Sequence, residues 1–370
     1  MRTSNRTIIR KIHLCIGLSL GLFFSFLGLT GGLLVFEHEI DEWLNPKLLL
    51  SAENKDRPDL DKVLAAAVNY NRSFKVQRLE TPRSDTGVYL VRGIHTVNSE
   101  SRPVTIYVDP RTLMATGSRV WGEYPMSFIY KLHYTLLMGN QGSTVVGIAG
   151  VLLLFMVITG VILWWPKKGK WKQAIGVKWR AKRIRVIWDL HRSLGFFFSF
   201  LLAVVTISGI YMIFPVYVKP IISWVSPITQ APIGLKSNPN HGLPTISPEQ
   251  ASYIAGSTFP NLELKRIYFP EGEEGVYRVV KRERNSVIKS SGYFQVWIEQ
   301  YNGKVLATRS PDNFSGGDYF SALQFPLHNG EAFGLPGRLM ILITSLMPTV
   351  LLATGFLIWK RKRTQNLRKT

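Results

Sequence analysis

The chain has almost no cysteine. Cys15 is its only one and lies in an apolar run, so no internal disulfide can form. Neither an iron–sulfur cluster nor a cysteine-rich zinc site can be assembled, and Cys15 reads as a small buried apolar residue. Acidic residues are scarce as well, 24 against 45 Lys and Arg, for a net charge of +21. Several catalytic signatures are missing: no His-Glu-x-x-His, Gly-x-Ser-x-Gly or Walker loop follows a strand. No Gly-x-Gly-x-x-Gly follows a strand either, so the chain has no evident site of its own for NAD(P)H or FAD.

Apolar runs are what the chain has in abundance. Mean hydropathy is positive at +0.08, and aromatic residues make up 12% of the chain. Runs at about 14–36, 143–165, 193–214 and 335–359 are each long enough to cross a bilayer of roughly 30 Å. The first ends in Thr30-Gly31-Gly32 rather than a small-residue cleavage site, and is expected to be an uncleaved anchor.

Mapping the charge decides what it is for. Four Lys/Arg precede the first run, a net nine positive charges fall in 166–192, and six more lie in the tail from Lys360 on. Nineteen of the net charges thus lie on one side of the membrane. Segment 37–142 has thirteen basic and thirteen acidic residues, and 215–333 has eleven and ten. The positive-inside rule makes both termini and the 166–192 loop cytoplasmic and exports the two neutral segments. No helix-turn-helix or finger pattern accompanies the charge, so nucleic acid is not expected as a partner.

One half of the chain repeats the other. His13 is followed at +4, +17/+18 and +23 by Gly17, Thr30-Gly31 and Phe36, and His191 at the same offsets by Gly195, Ser208-Gly209 and Phe214. His133 is followed at +6, +9, +26/+27 and +31 by Gly139, Gly142, Thr159-Gly160 and Trp164. His328 is followed identically by Gly334, Gly337, Thr354-Gly355 and Trp359. Each exported segment shows one helix (Leu60 to Tyr70; after Ser247-Pro248-Glu249) and then strand-like runs, at 74–79, 87–94 and 103–108 in the first and 263–269, 276–282 and 293–299 in the second. Two aromatic stretches, Gly117 to Lys131 and Pro311 to Pro326, are expected to be loops leading back to the membrane.

The expected architecture is a four-transmembrane-helix bundle built as a tandem repeat, with two exported α+β modules. Its segments are a cytoplasmic lead 1–13, transmembrane helices 14–36, 132–165, 193–214 and 327–359, exported modules 37–131 and 215–326, a cytoplasmic loop 166–192 and a tail 360–370. Even numbers of spans per half relate the halves by an axis along the membrane normal.

Each apolar helix carries one histidine near its start. His13 and His191 open spans that begin in the cytoplasm, whereas His133 and His328 open spans that begin outside. Paired imidazoles at matching depth suit axial ligation of haem iron, two per iron. Interfacial histidines with satisfied hydrogen bonds are the competing explanation. Gly17 and Gly195 lie one turn beyond their histidines on the same face, where a flat macrocycle needs a missing side chain; close helix packing would also use them. The Thr/Ser-Gly pairs are open to the same packing explanation. Arg338 lies in an apolar run, where charge is costly and usually functional, and could pair with a haem propionate. Arg10, Lys11 and Arg192 could do the same inside, with a solvated edge as their alternative. His38, at the outer end of the first span, is a minor alternative ligand, and His95 and His241 read as surface residues.

These residues carry a family resemblance. Lys11-Ile-His-Leu-Cys-Ile-Gly17, Thr30-Gly-Gly-Leu-Leu-Val-Phe-Glu37, Leu132-His133, Thr159-Gly-Val-Ile-Leu-Trp-Trp-Pro166, Asp189-Leu-His-Arg-Ser-Leu-Gly195 and Leu327-His328 resemble the PepSY-associated transmembrane-helix family. The strands ending at Val108-Asp109-Pro110 look like a PepSY sheet; Gln300-Tyr301-Asn302-Gly303 departs from that turn. Within the family the chain resembles bacterial inner-membrane ferric-siderophore reductases. The resemblance implies two bis-histidine haems of the b type, His13/His191 inside and His133/His328 outside, and a ferric siderophore reduced in the periplasm. Electrons would arrive from membrane quinol or a cytoplasmic donor. Two rivals stand beside this: a non-catalytic membrane-anchored PepSY binding module, and a siderophore or haem uptake component. Kinship of fold does not choose among them.

Overall fold

A computed structural model describes residues 3–52, 57–97, 100–229, 232–239, 244–284, 286–290 and 292–367. His241 lies outside them. In chain order the helices are α1 (Thr3–Leu34), α2 (Glu37–Leu44), α3 (Pro46–Leu49) and α4 (Leu60–Tyr70). Strands β1 (Phe74–Glu80), β2 (Tyr89–Val97), β3 (Glu100–Val108) and β4 (Ala115–Val120) follow. Then come α5 (Pro125–Thr135), α6 (Gly139–Trp164), α7 (Trp171–Ile175), α8 (Arg183–Phe197), α9 (Ser199–Ile213), α10 (Pro215–Ser223) and α11 (Pro248–Thr258). The chain closes with β5 (Leu262–Tyr268), β6 (Val276–Glu283), β7 (Phe294–Glu299), β8 (Val305–Arg309), α12 (Gly316–Asn329) and α13 (Gly334–Leu367). They form two compact units, a helical one of residues 1–36, 129–220 and 323–370 and a second of 37–128 and 221–322.

In the helical unit three helices are long and apolar enough to cross a membrane, Asn5–Leu34, Gly139–Trp164 and Glu331–Gln365. A fourth crossing exists if α8 and α9, bent by 53° at Phe198, count as one span. An unbroken run was expected there. Ser199 Oγ donates to the Phe196 carbonyl at 2.7 Å, a local bond that competes with the helix ladder and favours a kink. Helix α1 packs along α13. On α1, Gly28 and Gly32 stand one turn apart, and a Cβ at either would fall onto Ser345 of α13, the close approach that small residues provide between apolar helices. Cys15, expected to be buried, is exposed on α1.

The second unit holds one antiparallel sheet of eight strands in the order β4-β3-β2-β1-β5-β6-β7-β8. Two separate small sheets were expected. Instead β1 pairs with β5, with Arg78 opposite Tyr268, Leu79 opposite Ile267 and Glu80 opposite Arg266. Alternation sends Leu79, Val91, Ile106, Ile267, Val279, Val296 and Ile298 to one face, where Val63 and Ala67 of α4 and Ala251 and Ala255 of α11 close the core. Asp59 caps α4, and Ser247 and Gln250 form a capping box on α11. The helices also cap each other: Glu249 accepts from the Leu60 amide at 2.9 Å, and Asp61 accepts from the Glu249 amide at 3.1 Å.

Asp318, in the first turn of α12 and within this unit, is fully buried and pairs with Arg309 at 3.1 Å. Burial would raise its carboxyl pKa. Bonds from the Thr229 hydroxyl and amide and from Ser315 outweigh that and hold it below the ordinary value. A depressed carboxylate contributes stability that is complete above its unfolded pKa and lost as pH falls through the folded one. The denaturant midpoint of the wild type should therefore fall as pH drops below about 4, and Asp318→Asn should be less stable at neutral pH with a flatter acid limb.

Candidate histidine pairs in the helical unit

His13, His133, His191 and His328 meet four hydroxyls. His13 Nδ1 is 2.9 Å from Thr159 Oγ1, and His191 Nδ1 is 2.9 Å from Thr354 Oγ1. His133 Nδ1 is 3.0 Å from Thr30 Oγ1, and His328 Nδ1 is 3.1 Å from Ser208 Oγ. The glycine after each hydroxyl faces the same ring. A Cβ there would meet imidazole Cε1 at 3.4 Å for Gly160, 2.9 Å for Gly31, 3.2 Å for Gly355 and 3.2 Å for Gly209. Each Thr/Ser-Gly pair is thus a seat for one imidazole: the hydroxyl holds Nδ1 and the missing side chain admits the ring.

The hydroxyls also fix the tautomer. Each already donates its single hydrogen within its own helix, Thr30 to the Phe26 carbonyl at 2.9 Å, Thr159 to Phe155 at 3.0 Å, Thr354 to Val350 at 2.8 Å and Ser208 to Val204 at 2.8 Å. With the hydroxyl hydrogens placed on those carbonyls, the oxygens accept and the hydrogen between the groups is assigned to imidazole Nδ1. At His328 a second acceptor agrees, the Val205 carbonyl 2.9 Å from Nδ1. With Nδ1 protonated, a neutral ring presents the Nε2 lone pair, the form that binds metals. No hydrogen bond engages Nε2 of any of the four among the described residues.

Two of the four rings come together. The His133 and His328 ring centres lie 6.3 Å apart, their planes at 58°. Two imidazoles bound to one metal ion through nitrogens at about 2 Å each place their centres roughly this far apart. His13 lies on α1 and His191 on α8, each against its own Thr-Gly seat. Among the described residues no group of three or more His, Cys, Asp or Glu is placed to hold a metal ion. A histidine pair therefore suits a metal whose other ligands come from a macrocycle, and the donor chemistry fits haem iron.

His133 and His328 do not sit at the start of the long apolar helices, as expected. They are on the separate helices α5 and α12, which end at Thr135 and Asn329 before α6 and α13 begin. The stretches expected as aromatic loops are largely these two helices. Leu136 and Leu137 have φ of 51° and 61° at the first break, and Gly330 and Gly334 have 84° and 60° at the second.

Gly17 and Gly195 are not required by packing. A Cβ on Gly17 would meet only the flexible Met156 Cε at 3.2 Å, and one on Gly195 would touch Leu351 at an ordinary 3.7 Å. Arg338 has a partner of a different kind from the one expected: Nη2 and Nε donate to the Val35 carbonyl at 2.7 and 3.1 Å, just past the end of α1, and the guanidinium covers Phe36. Arg192 donates to the Gln173 and Gly176 carbonyls and pairs with buried Asp189, while Arg10 and Lys11 are exposed. His38 belongs to the second unit and accepts from Arg83 at 2.7 Å, which draws its Nε2 away from a ligand role. His95 is bonded to Asn71 and Ser73.

Thr159→Val keeps the shape of the seat and removes its acceptor. The His13 Nδ1–H then loses its partner, at a cost of about 1–3 kcal/mol. Ring nitrogen chemical shifts should report a mixture of tautomers at His13 alone, with the other three histidines unchanged.

No curated protein matches the chain. The model of the family described as the PepSY-associated TM region matches residues 10–362, nearly the whole length, and the chain belongs to that family.

Proposed function

We propose that the protein is a transmembrane electron carrier that binds two bis-histidine haems of the b type and reduces ferric chelates on the exported side of a bacterial inner membrane. The observation that carries this is the shared state of the four imidazoles: Nδ1–H held by a hydroxyl, Nε2 free, each ring against a glycine. Helix-end histidines with only an interfacial role have no need of a common tautomer. Haem bound by two imidazoles supplies one-electron transfer with no open iron position.

What the chain's residues do follows from their places. His13 and His191 would hold the inner group, and His133 and His328 the outer. The hydroxyls keep the rings oriented, which favours ligation without reorganisation. Gly17 and Gly195, whose side chains no protein neighbour forbids, leave a flat face beside the inner ligands. Arg338 holds the end of α1 in place next to the outer pair.

The same proposal makes the chain a duplicated half, each with a PepSY-like α+β segment, and places the termini and the 166–192 loop in the cytoplasm and the sheet in the periplasm. The charge asymmetry supports that orientation. Electrons would come from membrane quinol or a cytoplasmic donor, because the chain has no nucleotide-binding signature of its own. The substrate class, ferric siderophores, is supported by resemblance, and by the weaker hold of hard oxygen ligands on Fe²⁺ than on Fe³⁺.

Protein purified from haem-replete cells should show a sharp Soret band with low-spin bis-histidine features and two haems per chain. The dithionite-reduced protein should be reoxidised by a ferric siderophore. A colourless preparation overturns the haem assignment, and reduced protein that no ferric siderophore reoxidises overturns the reductase assignment alone.

A further inference from the structure

The sheet has a second face, opposite α4 and α11, and its centre is arginine. Counting across the strands, Arg92 of β2 lies opposite Arg78 of β1, Arg78 opposite Tyr268 of β5, and Tyr268 opposite Arg278 of β6. In the next row Glu80 of β1 lies opposite Arg266 of β5. Four guanidiniums thus occupy four adjacent strands, a span of about 15 Å at ordinary strand spacing.

Among the described residues one carboxylate pairs with three of them. Glu80 pairs with Arg78 at 3.0 Å, Arg92 at 3.1 Å and Arg266 at 3.1 Å. Burial would raise its carboxyl pKa, but the three guanidiniums outweigh burial and hold it below the ordinary value, so Glu80 is charged. Four arginines against one glutamate leave a net charge of +3 on the cluster. Arg78 loses proton affinity to burial first and then to the like charges of Arg92 and Arg266, with Glu80 opposing. Like charges directly opposite on a sheet are destabilising. A fold keeps such an arrangement where function asks for it.

The cluster is built rather than loose. Arg266 donates to the Tyr268 hydroxyl at 2.8 Å, and Arg278 lies over the Tyr268 ring at 3.9 Å from its centre. Side chains of Arg78, Arg92 and Arg266 keep 31%, 26% and 25% of their exposure, enough for a ligand to reach them. The arginines at the two ends of the sheet differ. Arg119 is neutralised by Asp41 at 2.6 Å, and Arg309 by Asp318 at 3.1 Å. Each of these end arginines has a carboxylate of its own, whereas the four in the middle do not.

We infer that this central arginine cluster is a binding site for a carboxylate-rich, anionic metal chelate. Planar guanidinium forks match carboxylates in pairs, and a ligand with several carboxylates answers the charge that Glu80 leaves unmet. That the bound metal is iron to be reduced rests on the function proposed above; the anion site itself does not.

Gallium(III) citrate, which mimics the ferric complex and accepts no electron under these conditions, separates the two. Isothermal calorimetry on the full chain in nanodiscs should show binding that weakens with added salt. Arg92→Gln/Arg278→Gln should weaken it at least tenfold without lowering the thermal transition. Glu80→Gln removes the competing carboxylate and should tighten binding, a gain that misfolding cannot imitate. The inference is overturned if the double variant binds like wild type, if Glu80→Gln binds no tighter, or if a cationic gallium trihydroxamate binds as well as citrate. Haem reoxidation by ferric chelates together with no gallium citrate binding would keep the reductase and remove this site.

Discussion

His133→Ala is expected to abolish about half of the low-spin haem signal while leaving helix content unchanged. His328→Ala should do the same, and the pairing makes a sharper demand. Because the two rings share one place, 6.3 Å centre to centre, the double variant His133→Ala/His328→Ala should lose no more than either single one. His133→Ala/His13→Ala, which strikes both pairs, should lose all of it. Residues acting as a unit are non-additive, and independent sites add. Haem counted per chain, together with the Soret band, decides. If His133→Ala and His13→Ala removed the same half, the pairing by depth would be wrong.

The histidines and their spacing could be read from the chain; their seats could not. Offsets within one helix are local, so Gly17 and Gly195 announced a face one turn beyond their histidines. The seat of His13 is Thr159-Gly160, 146 positions away, and that of His191 is Thr354-Gly355, 163 away. The four Thr/Ser-Gly pairs stood at matching offsets, which was a visible signal, but helix packing would leave the same trace. The strand patterns marked the strands and not the order of neighbours, so the join of β1 to β5 stayed hidden. The breaks after α5 and α12 were hidden differently. Leu136 and Leu137, both apolar, give no sign of a positive φ. Gly139 and Gly142, with Gly334 and Gly337, stand out in the sequence only as matching positions, yet they mark where the chain turns.

Those glycines carry the second large effect. A Cβ on Gly142 would overlap the Thr135 carbonyl at the end of α5, and one on Gly337 would overlap the Gly330 carbonyl. Both obstacles are backbone, which cannot swing aside as a side chain does. Gly142→Ala must therefore push α6 away from the last turn of α5, two residues beyond His133. Overpacking of this kind costs about 1–3 kcal/mol, and the displacement acts on the His133 ring and its bond to Thr30. The variant should melt earlier by far-ultraviolet circular dichroism and should reproduce the optical loss of His133→Ala without touching a ligand. Gly195→Ala is the control, since its Cβ meets only Leu351 at an ordinary contact distance. It should melt like wild type and disturb only the inner half of the signal, where the added methyl would meet a bound macrocycle. A Gly195→Ala protein with wild-type melting and a wild-type spectrum would show that the glycine faces nothing.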